Sequence, residues 1–350
     1  MENKNLDRRR FLSITALGAV ATQFAGFNIL QAKSLQNNKI ASQNSVTGLR
    51  TFAIKQVRTP LLDIGYADEG PVNGRVVILL HGWPYDIHSF ADTAALLTAK
   101  GYRVLIPHLR GHGTTMFLSE VTARNGQQAA IAKDIIDFMD ALRIKNAIIG
   151  GFDWGARTAN IIAALWPERC QALISVSGYL IGSQEGNKKP LPPKAELSWW
   201  YQYYFSTERG REGYKANTHD FAKLIWQTAS PEWKFDDATF ARSAASLDNP
   251  DHVDIVIHNY RWRLGLAEGE SRYDAYETKL ATFPDITVPA ITLEGDANGA
   301  PHPKPEDYAK RFKNKYEHRT LTGGIGHNLP QEAPQDFAGA IIAAAAMVRQ

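Results

Sequence analysis

The sequence predicts an α/β fold in which a mostly parallel sheet is flanked by helices and a helical cap is inserted into the chain. Two observations predict this architecture. Short apolar runs alternate with helical patterns along most of the 350 residues, as is typical of parallel strands buried on both faces. The alternation stops between residues 179 and 270, where a turn-rich and then aromatic segment takes its place.

The first 47 residues are predicted to lie outside this fold. The segment Arg8-Arg9-Arg10-Phe11-Leu12 matches the twin-arginine export pattern and starts an apolar stretch that polar residues interrupt. We expect residues 1–32 to be a cleaved signal peptide, with retention as an anchor as the alternative, and residues 33–47 to be a polar linker. The mature protein is then expected in the periplasm or outside the cell, without stable membrane association.

The sheet is predicted to begin with an antiparallel pair of strands and to continue with parallel strands. The pair lies at residues 51–57 and 61–66, the parallel strands at residues 76–80, 102–106, 147–150, 172–176, 290–293 and 317–321, and helices at residues 90–100, 127–142, 158–165, 306–312 and 334–348. The core therefore comprises residues 48–178 and 271–350, with the cap at residues 179–270. Because open α/β sheets bind ligands at the carboxyl ends of their strands, we expect the cap to cover that edge.

Composition excludes several classes of function. The net charge is only +3 and the basic residues are scattered, so no nucleic-acid partner is predicted. A single cysteine, Cys170, excludes an internal disulfide and a cysteine-based metal site. No metal-ligand cluster or dinucleotide motif stands in a suitable context, so we predict no metal and no organic cofactor. The expected partner is a small-molecule substrate, and the oligomeric state stays open.

The segment Gly151-Phe152-Asp153-Trp154-Gly155 is the most informative of the chain, because it joins an apolar run to a helical pattern. A Gly-x-Ser-x-Gly turn at such a junction presents the nucleophile of the α/β-hydrolase fold, and here Asp153 stands in the serine position. A carboxylate is already ionised at neutral pH and can attack a saturated carbon, which gives an alkyl ester. The alternative is that Asp153 only caps the following helix.

His327 and Asp296 are predicted to complete a catalytic triad. His327 lies in a glycine-rich loop before the last helix, and Asp296 follows the preceding strand, so the chain order nucleophile, acid, histidine matches the fold. We expect His327, oriented by Asp296, to activate the water that hydrolyses the ester. The backbone N–H groups of Trp83 and Trp154 are expected to form the oxyanion hole.

Over residues 50–350 these motifs resemble those of the epoxide hydrolases of the α/β-hydrolase fold. The Gly-x-Asp-x-Gly turn, the segment His81-Gly82-Trp83-Pro84 and the pair Asp296 and His327 are also shared by haloalkane dehalogenases. The shared motifs imply a hydrolase with an aspartate nucleophile but do not choose its substrate. That choice depends on the cap.

Two tyrosine motifs in the cap favour an epoxide. Opening an epoxide produces a basic alkoxide, which epoxide hydrolases protonate with two cap tyrosines. The segment Trp200-Tyr201-Gln202-Tyr203-Tyr204-Phe205 is similar to the first of their motifs and implicates Tyr201, with Tyr203 or Tyr204 as alternatives. The segment His258-Asn259-Tyr260-Arg261-Trp262 is similar to the second and implicates Tyr260.

The resemblance therefore implies an epoxide hydrolase that forms a vicinal diol through an ester on Asp153. The chain departs from many haloalkane dehalogenases at Trp83, where they have a halide-binding Asn, and from fluoroacetate dehalogenases at Trp154, where they have an Arg. A haloalkane or haloacid dehalogenase stays the alternative, because Trp154 could itself donate to a halide. A non-catalytic binding protein on the same fold is the third hypothesis.

Overall fold

The computed structural model describes residues 49–348. The predicted signal peptide at residues 1–32 and the predicted linker at residues 33–47 lie outside this range. The same holds for the periplasmic or extracellular localisation, which depends on those residues and stays a prediction. Within the described range, strands and helices alternate as the apolar pattern predicts, up to a long helical stretch in the second half of the chain.

The described strands form one sheet. They are β1 (Ile54–Arg58), β2 (Leu62–Glu69), β3 (Arg75–Leu80), β4 (Tyr102–Pro107), β5 (Met116–Phe117), β6 (Ala147–Gly151), β7 (Cys170–Val176), β8 (Ala290–Gly295) and β9 (Tyr316–Leu321). Their spatial order is β1-β2-β4-β3-β6-β7-β8-β9, with β5 paired to β2. β2 is antiparallel to β1, β4 and β5, and every other pair is parallel. The predicted mostly parallel sheet with an antiparallel start is confirmed.

Helices cover both faces of this sheet. In the core they are α1 (Ala91–Thr98), α2 (Gln128–Ala141) and α3 (Trp154–Leu165); in the long helical stretch α4 (Gln184–Asn187), α5 (Pro193–Ser198), α6 (Trp200–Phe205), α7 (Glu208–Ala216), α8 (Thr218–Ala229), α9 (Asp237–Ala244) and α10 (His252–Arg263); and after it α11 (Asp274–Leu280), α12 (Pro305–Tyr308), α13 (Leu329–Glu332) and α14 (Pro334–Met347). In this range no helix has the length and apolar character that a membrane crossing requires.

Alternate residues of each central strand belong to different hydrophobic clusters. In β3, Ile78 and Leu80 pack with α2 and α3, whereas Val77 and Leu79 pack with α1 and α14. A strand that is buried on both faces favours apolar residues on each of them, which is why its sequence is a mostly continuous apolar run rather than an alternating one. The α/β-hydrolase topology follows from this arrangement, and it brings the carboxyl ends of β3, β6, β7 and β8 to one edge.

The helical cap lies over that edge. Residues 184–263 contain only helices and connecting loops, within the predicted cap at residues 179–270, whose bounds stay a prediction. Two buried hydrogen bonds join α10 to core loops: Asn259 Nδ2 donates to the Gly126 carbonyl at 2.6 Å, and His252 Nδ1 donates to the Gly111 carbonyl at 2.8 Å. Because both bonds are shielded from water, they hold the cap in a defined position.

Four buried histidines, three from the core and one from the cap helix α10, pack together. His112 contacts His81 at a ring-centroid distance of 4.9 Å and His252 at 4.8 Å, and His81 contacts His108 at 6.2 Å. Burial is the main cause that lowers the pKa of all four, to about 4 for His108 and for His112. All four are therefore neutral in the folded protein at pH 7, and each must become charged when the chain unfolds in acid.

This cluster predicts that acid destabilises the fold. A histidine whose folded pKa is about 4 and whose unfolded pKa is about 6.5 binds its proton only in the unfolded state between those values, so the free energy of unfolding falls as the pH falls through that range. Between pH 7.5 and pH 5 the loss is about 2 kcal/mol for one such histidine. Glu277, whose burial raises its pKa to about 7, contributes in the opposite direction, so a difference between variants is the cleaner measurement.

The variant His112→Gln isolates the effect. We expect its free energy of unfolding, from urea denaturation at pH 7.5 and pH 5, to fall by about 2 kcal/mol less than that of the parent protein over this interval. His219→Gln is the matched control, because His219 is an exposed residue that pairs with Asp248 at the surface. An unchanged pH dependence in His112→Gln would contradict the interpretation.

Candidate active site

Asp153 lies on a strained turn between β6 and α3. Its backbone has φ 54° and ψ −125°, a conformation that a residue with a side chain rarely adopts. The flanking glycines make the turn possible: a Cβ on Gly155 would lie 1.8 Å from the Leu80 carbonyl oxygen, and one on Gly151 would lie 2.5 Å from the Gly155 carbonyl carbon. The Asp153 side chain consequently points into a cavity under the cap.

The Asp153 carboxylate is held by backbone donors and by His327. The Trp83 N–H donates to Oδ1 at 2.8 Å, and the Trp154 N–H also bonds the carboxylate. His327 Nε2 lies 3.4 Å from Oδ2. Burial alone would raise the pKa of Asp153, but the hydrogen bond and charge of His327, with help from Arg157 and the Trp154 N–H, bring it below its ordinary value. The group is therefore an ionised carboxylate in contact with both predicted oxyanion-hole amides.

His327 is fixed by the loop that carries it. Its backbone N–H donates to Ser230 Oγ at 2.8 Å, and Ser230 in turn donates to Glu332 at 2.7 Å. The ring is only 8 % exposed and lies 6.1 Å from the Tyr85 ring, centroid to centroid. These contacts hold Nε2 toward Asp153, where it can accept a proton from a water placed beside that carboxylate.

The structure does not place Asp296 where the orienting acid was expected. Its Oδ1 accepts the N–H groups of Gly324 and Ile325 at 2.9 and 3.0 Å, and its Oδ2 accepts that of Gly323 at 3.0 Å. These three bonds lower the pKa of Asp296 and close the loop that leads to His327. Asp296 thus supports the loop backbone and does not bond the imidazole ring, which corrects its expected role.

Asn298 takes the position beside the imidazole. His327 Nδ1 lies 3.1 Å from Asn298 Oδ1, while Asn298 Nδ2 donates to Glu294 Oε1 at 2.8 Å and to Ser177 Oγ at 3.2 Å. Because Nδ2 faces these two acceptors and the Ala300 N–H donates to Oδ1 at 3.0 Å, the amide is oriented with its oxygen toward the ring. An amide oxygen can only accept, so Nδ1 carries a proton, and Nε2 is the nitrogen that acts as the base when the ring is neutral.

Removing this hydrogen bond should slow the step that needs the base. In Asn298→Ala we expect ester hydrolysis to slow about tenfold, since a lost neutral hydrogen bond costs about 1.4 kcal/mol. Single-turnover kinetics, which separate ester formation from ester hydrolysis, provide the measurement. The companion variant Asp296→Asn keeps an acceptor for the loop amides and should retain most of the hydrolysis rate; the reverse order of the two effects would restore Asp296 as the orienting residue.

Tyr201 and Tyr260 line the same cavity as Asp153 and His327. Their ring centroids lie 5.4 Å apart, and each lies 5.3 Å from that of Trp83. Burial is the largest cause that raises the pKa of both phenols, and the negative charge of Asp153 adds to it. Both therefore keep their protons at neutral pH and can donate them.

The alternatives to Tyr201 are placed elsewhere. Tyr203 is 50 % exposed and donates to the Glu196 carboxylate. Tyr204 packs against Phe221, with ring centroids 6.2 Å apart, and does not line the cavity that holds Asp153. Of the three tyrosines in α6, the one that lines the cavity with Asp153 is therefore Tyr201.

The cavity has a volume of about 620 Å³ and is walled by both core and cap. Apolar and aromatic side chains dominate the lining, as is usual for small-molecule sites. Its charged and polar members include Asp153, His327, His302, Arg157, Arg263, Gln128 and Asn187. Within residues 49–348 no group of three or more His, Cys, Asp or Glu side chains is arranged to hold a metal ion.

Comparison with known proteins gives a consistent picture. The family pattern of the alpha/beta hydrolase fold matches residues 75–232. A crystal structure of a "putative epoxide hydrolase" from Klebsiella pneumoniae is 62% identical and superimposes with a TM-score of 0.83, covering 85% of this chain and 97% of that one. A Pseudomonas aeruginosa structure at 21% identity has a TM-score of 0.72 over 86% of this chain and 97% of its own, a likeness in fold alone.

Curated relatives come from two enzyme classes. Epoxide hydrolase B of Mycobacterium tuberculosis is 28% identical over 251 residues, which is 67% of this chain and 69% of that protein. A haloalkane dehalogenase of Mycolicibacterium paratuberculosis is 30% identical over 138 residues, or 39% of this chain and 44% of that protein. The shorter match to the dehalogenase fits motifs that both classes share, and the substrate must be argued from the cavity.

Proposed function

The chain belongs to the α/β-hydrolase family, among the homologues of epoxide hydrolases, and we propose that it opens an epoxide to a vicinal diol through an ester on Asp153. The observation that carries the proposal is the pair of protonated phenols, Tyr201 and Tyr260, that shares one cavity with an ionised Asp153. A nucleophile for carbon and two proton donors for oxygen are the groups that opening of an epoxide ring requires.

In the first half-reaction, an Asp153 oxygen attacks a ring carbon as the carbon–oxygen bond of the epoxide breaks. The electron pair of that bond goes to the ring oxygen, which takes a proton from Tyr201 or Tyr260. The product of this step is a hydroxyalkyl ester on Asp153 and one tyrosinate. Enclosure of the substrate under the cap supplies the alignment and keeps bulk water from the ester.

In the second half-reaction, His327 Nε2 removes a proton from water, and the resulting hydroxide attacks the carbonyl carbon of the ester. The oxyanion that forms on the Asp153 oxygen is stabilised by the N–H groups of Trp83 and Trp154, the first of which already donates to that carboxylate at 2.8 Å. Collapse of this intermediate releases the diol and restores the carboxylate. The imidazolium gives its proton to the leaving alkoxide, and the tyrosinate regains its proton from solvent.

Dehalogenation stays the alternative, because the Trp154 Nε1–H has no hydrogen-bond partner within residues 49–348, but the geometry removes the second indole donor. A halide leaves without a proton but needs N–H donors that are free to bind it. The indole Nε1–H of Trp83 is already donated to Tyr214 Oη at 2.8 Å, and Tyr214 Oη lies 2.8 Å from His252 Nε2. These buried hydrogen bonds use the Trp83 Nε1–H, so a halide could bind to that N–H only if its hydrogen bond to Tyr214 broke.

The test is a matched set of substrates in labelled water. The purified chain is given styrene-type and aliphatic epoxides and the corresponding haloalkanes, and we expect diol formation to dominate. In a single turnover in heavy-oxygen water the diol should be unlabelled, because its new oxygen comes from Asp153, and the label should be found in the peptide that contains Asp153. Label in the first-turnover diol, or halide release without diol formation, would overturn the proposal.

A further inference from the structure

Arg157 places a positive charge that forms no ion pair in the wall of the cavity. It lies in α3, four residues after Asp153, and its side chain lines the cavity. Among residues 49–348 it forms neither an ion pair nor a side-chain hydrogen bond. The contrast with Arg110 is informative, because that buried guanidinium is paired with Asp134 by bonds of 2.6 and 2.7 Å. Arg157 has no such structural partner.

A second cation approaches from the cap. Arg263 ends α10 and lines the same cavity. Its guanidinium carbon lies 5.7 Å from the ring centroid of Tyr260 and 5.7 Å from that of Trp199, and in the described range it too has no carboxylate partner. Burial, followed by the positive charge of Arg263, lowers the pKa of Arg157 to about 10. Core and cap therefore bring two like charges together inside a mostly apolar space.

Two acidic groups, Asp153 and Glu277, interact electrostatically with Arg157, but neither forms an ion pair with it. Asp153 bonds the Trp83 N–H and faces His327, and it must stay free to attack the substrate. Glu277 lies behind the wall and accepts the Gln128 side-chain N–H at 2.9 Å and the Ala129 N–H at 3.1 Å. Unpaired buried charge costs free energy, and that cost is recovered when an anion binds.

We propose that the substrate carries a carboxylate, which binds between Arg157 and Arg263 while its epoxide faces Asp153. The inference rests on the proposed epoxide-opening function of the same cavity. Guanidinium groups bind a carboxylate through paired N–H donors. Four residues of helix span about 6 Å, so the carboxylate lies within a few bonds of the reacting carbon. The proposed substrates are therefore epoxycarboxylic acids in which only a few bonds separate the carboxylate from the epoxide.

The experiment compares an epoxy acid with its uncharged methyl ester. The full chain is assayed on 3-phenylglycidate and on its methyl ester, and we expect kcat/KM to favour the acid. In Arg157→Met the ratio of the two kcat/KM values should fall about a hundredfold, as expected for a lost hydrogen bond to a charged group, with an intermediate loss in Arg157→Lys. Arg211→Gln, which removes a cap cation that pairs with Asp254 outside the cavity, should leave the ratio unchanged.

Binding and stability separate this inference from the proposed function. Calorimetric titration with the unreactive pair phenylacetate and phenylacetamide should show binding of the anion in preference to the amide, and loss of that preference in Arg157→Met. The same variant, without ligand, should unfold at a temperature no lower than the parent, because it removes an unpaired charge; a structural role for Arg157 would lower it.

The outcomes separate the two hypotheses. If epoxides are opened but the acid has no advantage over the ester, the carboxylate inference fails and the proposed function stands. If phenylacetate binds in an Arg157-dependent way but no epoxide is opened, the proposed function fails and the anion site stands. A preference for the ester, or an equal effect of Arg157→Met on both substrates, overturns the inference.

Discussion

His327→Gln is expected to stop turnover and to leave the enzyme as a stable ester on Asp153. His327 is not needed for the attack of an ionised carboxylate on carbon, but it is needed to activate the water that hydrolyses the ester. A glutamine cannot act as a base, so hydrolysis should fall by about a thousandfold or more, at the upper part of the range for general-base catalysis. Intact-mass measurement after mixing with an epoxide should show one added substrate per chain, and peptide mapping should place it on Asp153.

The controls for this variant test both the site and the chemistry. Asp153→Asn should give neither adduct nor diol, because its amide is not a nucleophile. His219→Gln changes an exposed histidine that pairs with Asp248 and should turn over like the parent. An adduct on another residue, or continued production of diol by His327→Gln, would contradict the assigned roles.

Asp153 and His327, the proposed nucleophile and base, could be chosen from the sequence because their positions depend on local backbone geometry. A Cβ at position 155 would lie 1.8 Å from the Leu80 carbonyl oxygen. The tight turn therefore requires glycine there, and the glycines around Asp153 indicate the turn in the sequence. His327 follows from chain order and from its place between the last strand and the last helix. Both residues line the cavity as expected.

The orienting residue could not be predicted in the same way. Asp296 and Asn298 stand two residues apart in one loop, and the carboxylate is the more familiar partner of a histidine. The choice depends on the loop at residues 323–325, whose three N–H groups all turn toward Asp296. These hydrogen bonds join residues that are far apart in the chain, so no local sequence pattern predicts them. It leaves Asn298, which has no distinctive pattern around it, beside the imidazole ring.

The cap shows a different limit of prediction from the sequence. Its aromatic segment indicated the helix that carries the first proposed proton donor, but three tyrosines within one short helix point in different directions, and only packing against Trp83 selects Tyr201. Arg157 and the buried histidines were not predicted as a cation site or as a cluster, because each depends on residues far apart in the chain. Strand β5, with two residues, is too short to leave a periodic pattern.

Loss of the two phenols should abolish opening of the epoxide ring. In the double variant Tyr201→Phe and Tyr260→Phe the alkoxide would leave without a proton, and we expect the rate of ester formation to fall by about a thousandfold or more, with a smaller loss in each single variant. Removing only the hydroxyl groups preserves the ring packing around Trp83. Tyr203→Phe is the matched control, since Tyr203 is in the same helix but is 50 % exposed.

The measurement is most direct in the His327→Gln background, where the ester accumulates and its formation can be timed by mass. There the added Tyr201→Phe and Tyr260→Phe changes should prevent accumulation, whereas Tyr203→Phe should not. Because burial and the charge of Asp153 raise the pKa of both phenols above their ordinary value, ester formation should also persist to a pH above 10, the value at which a free tyrosine loses its proton. Ester that formed from the epoxide at an undiminished rate without either hydroxyl group would mean that Tyr201 and Tyr260 are not the proton donors.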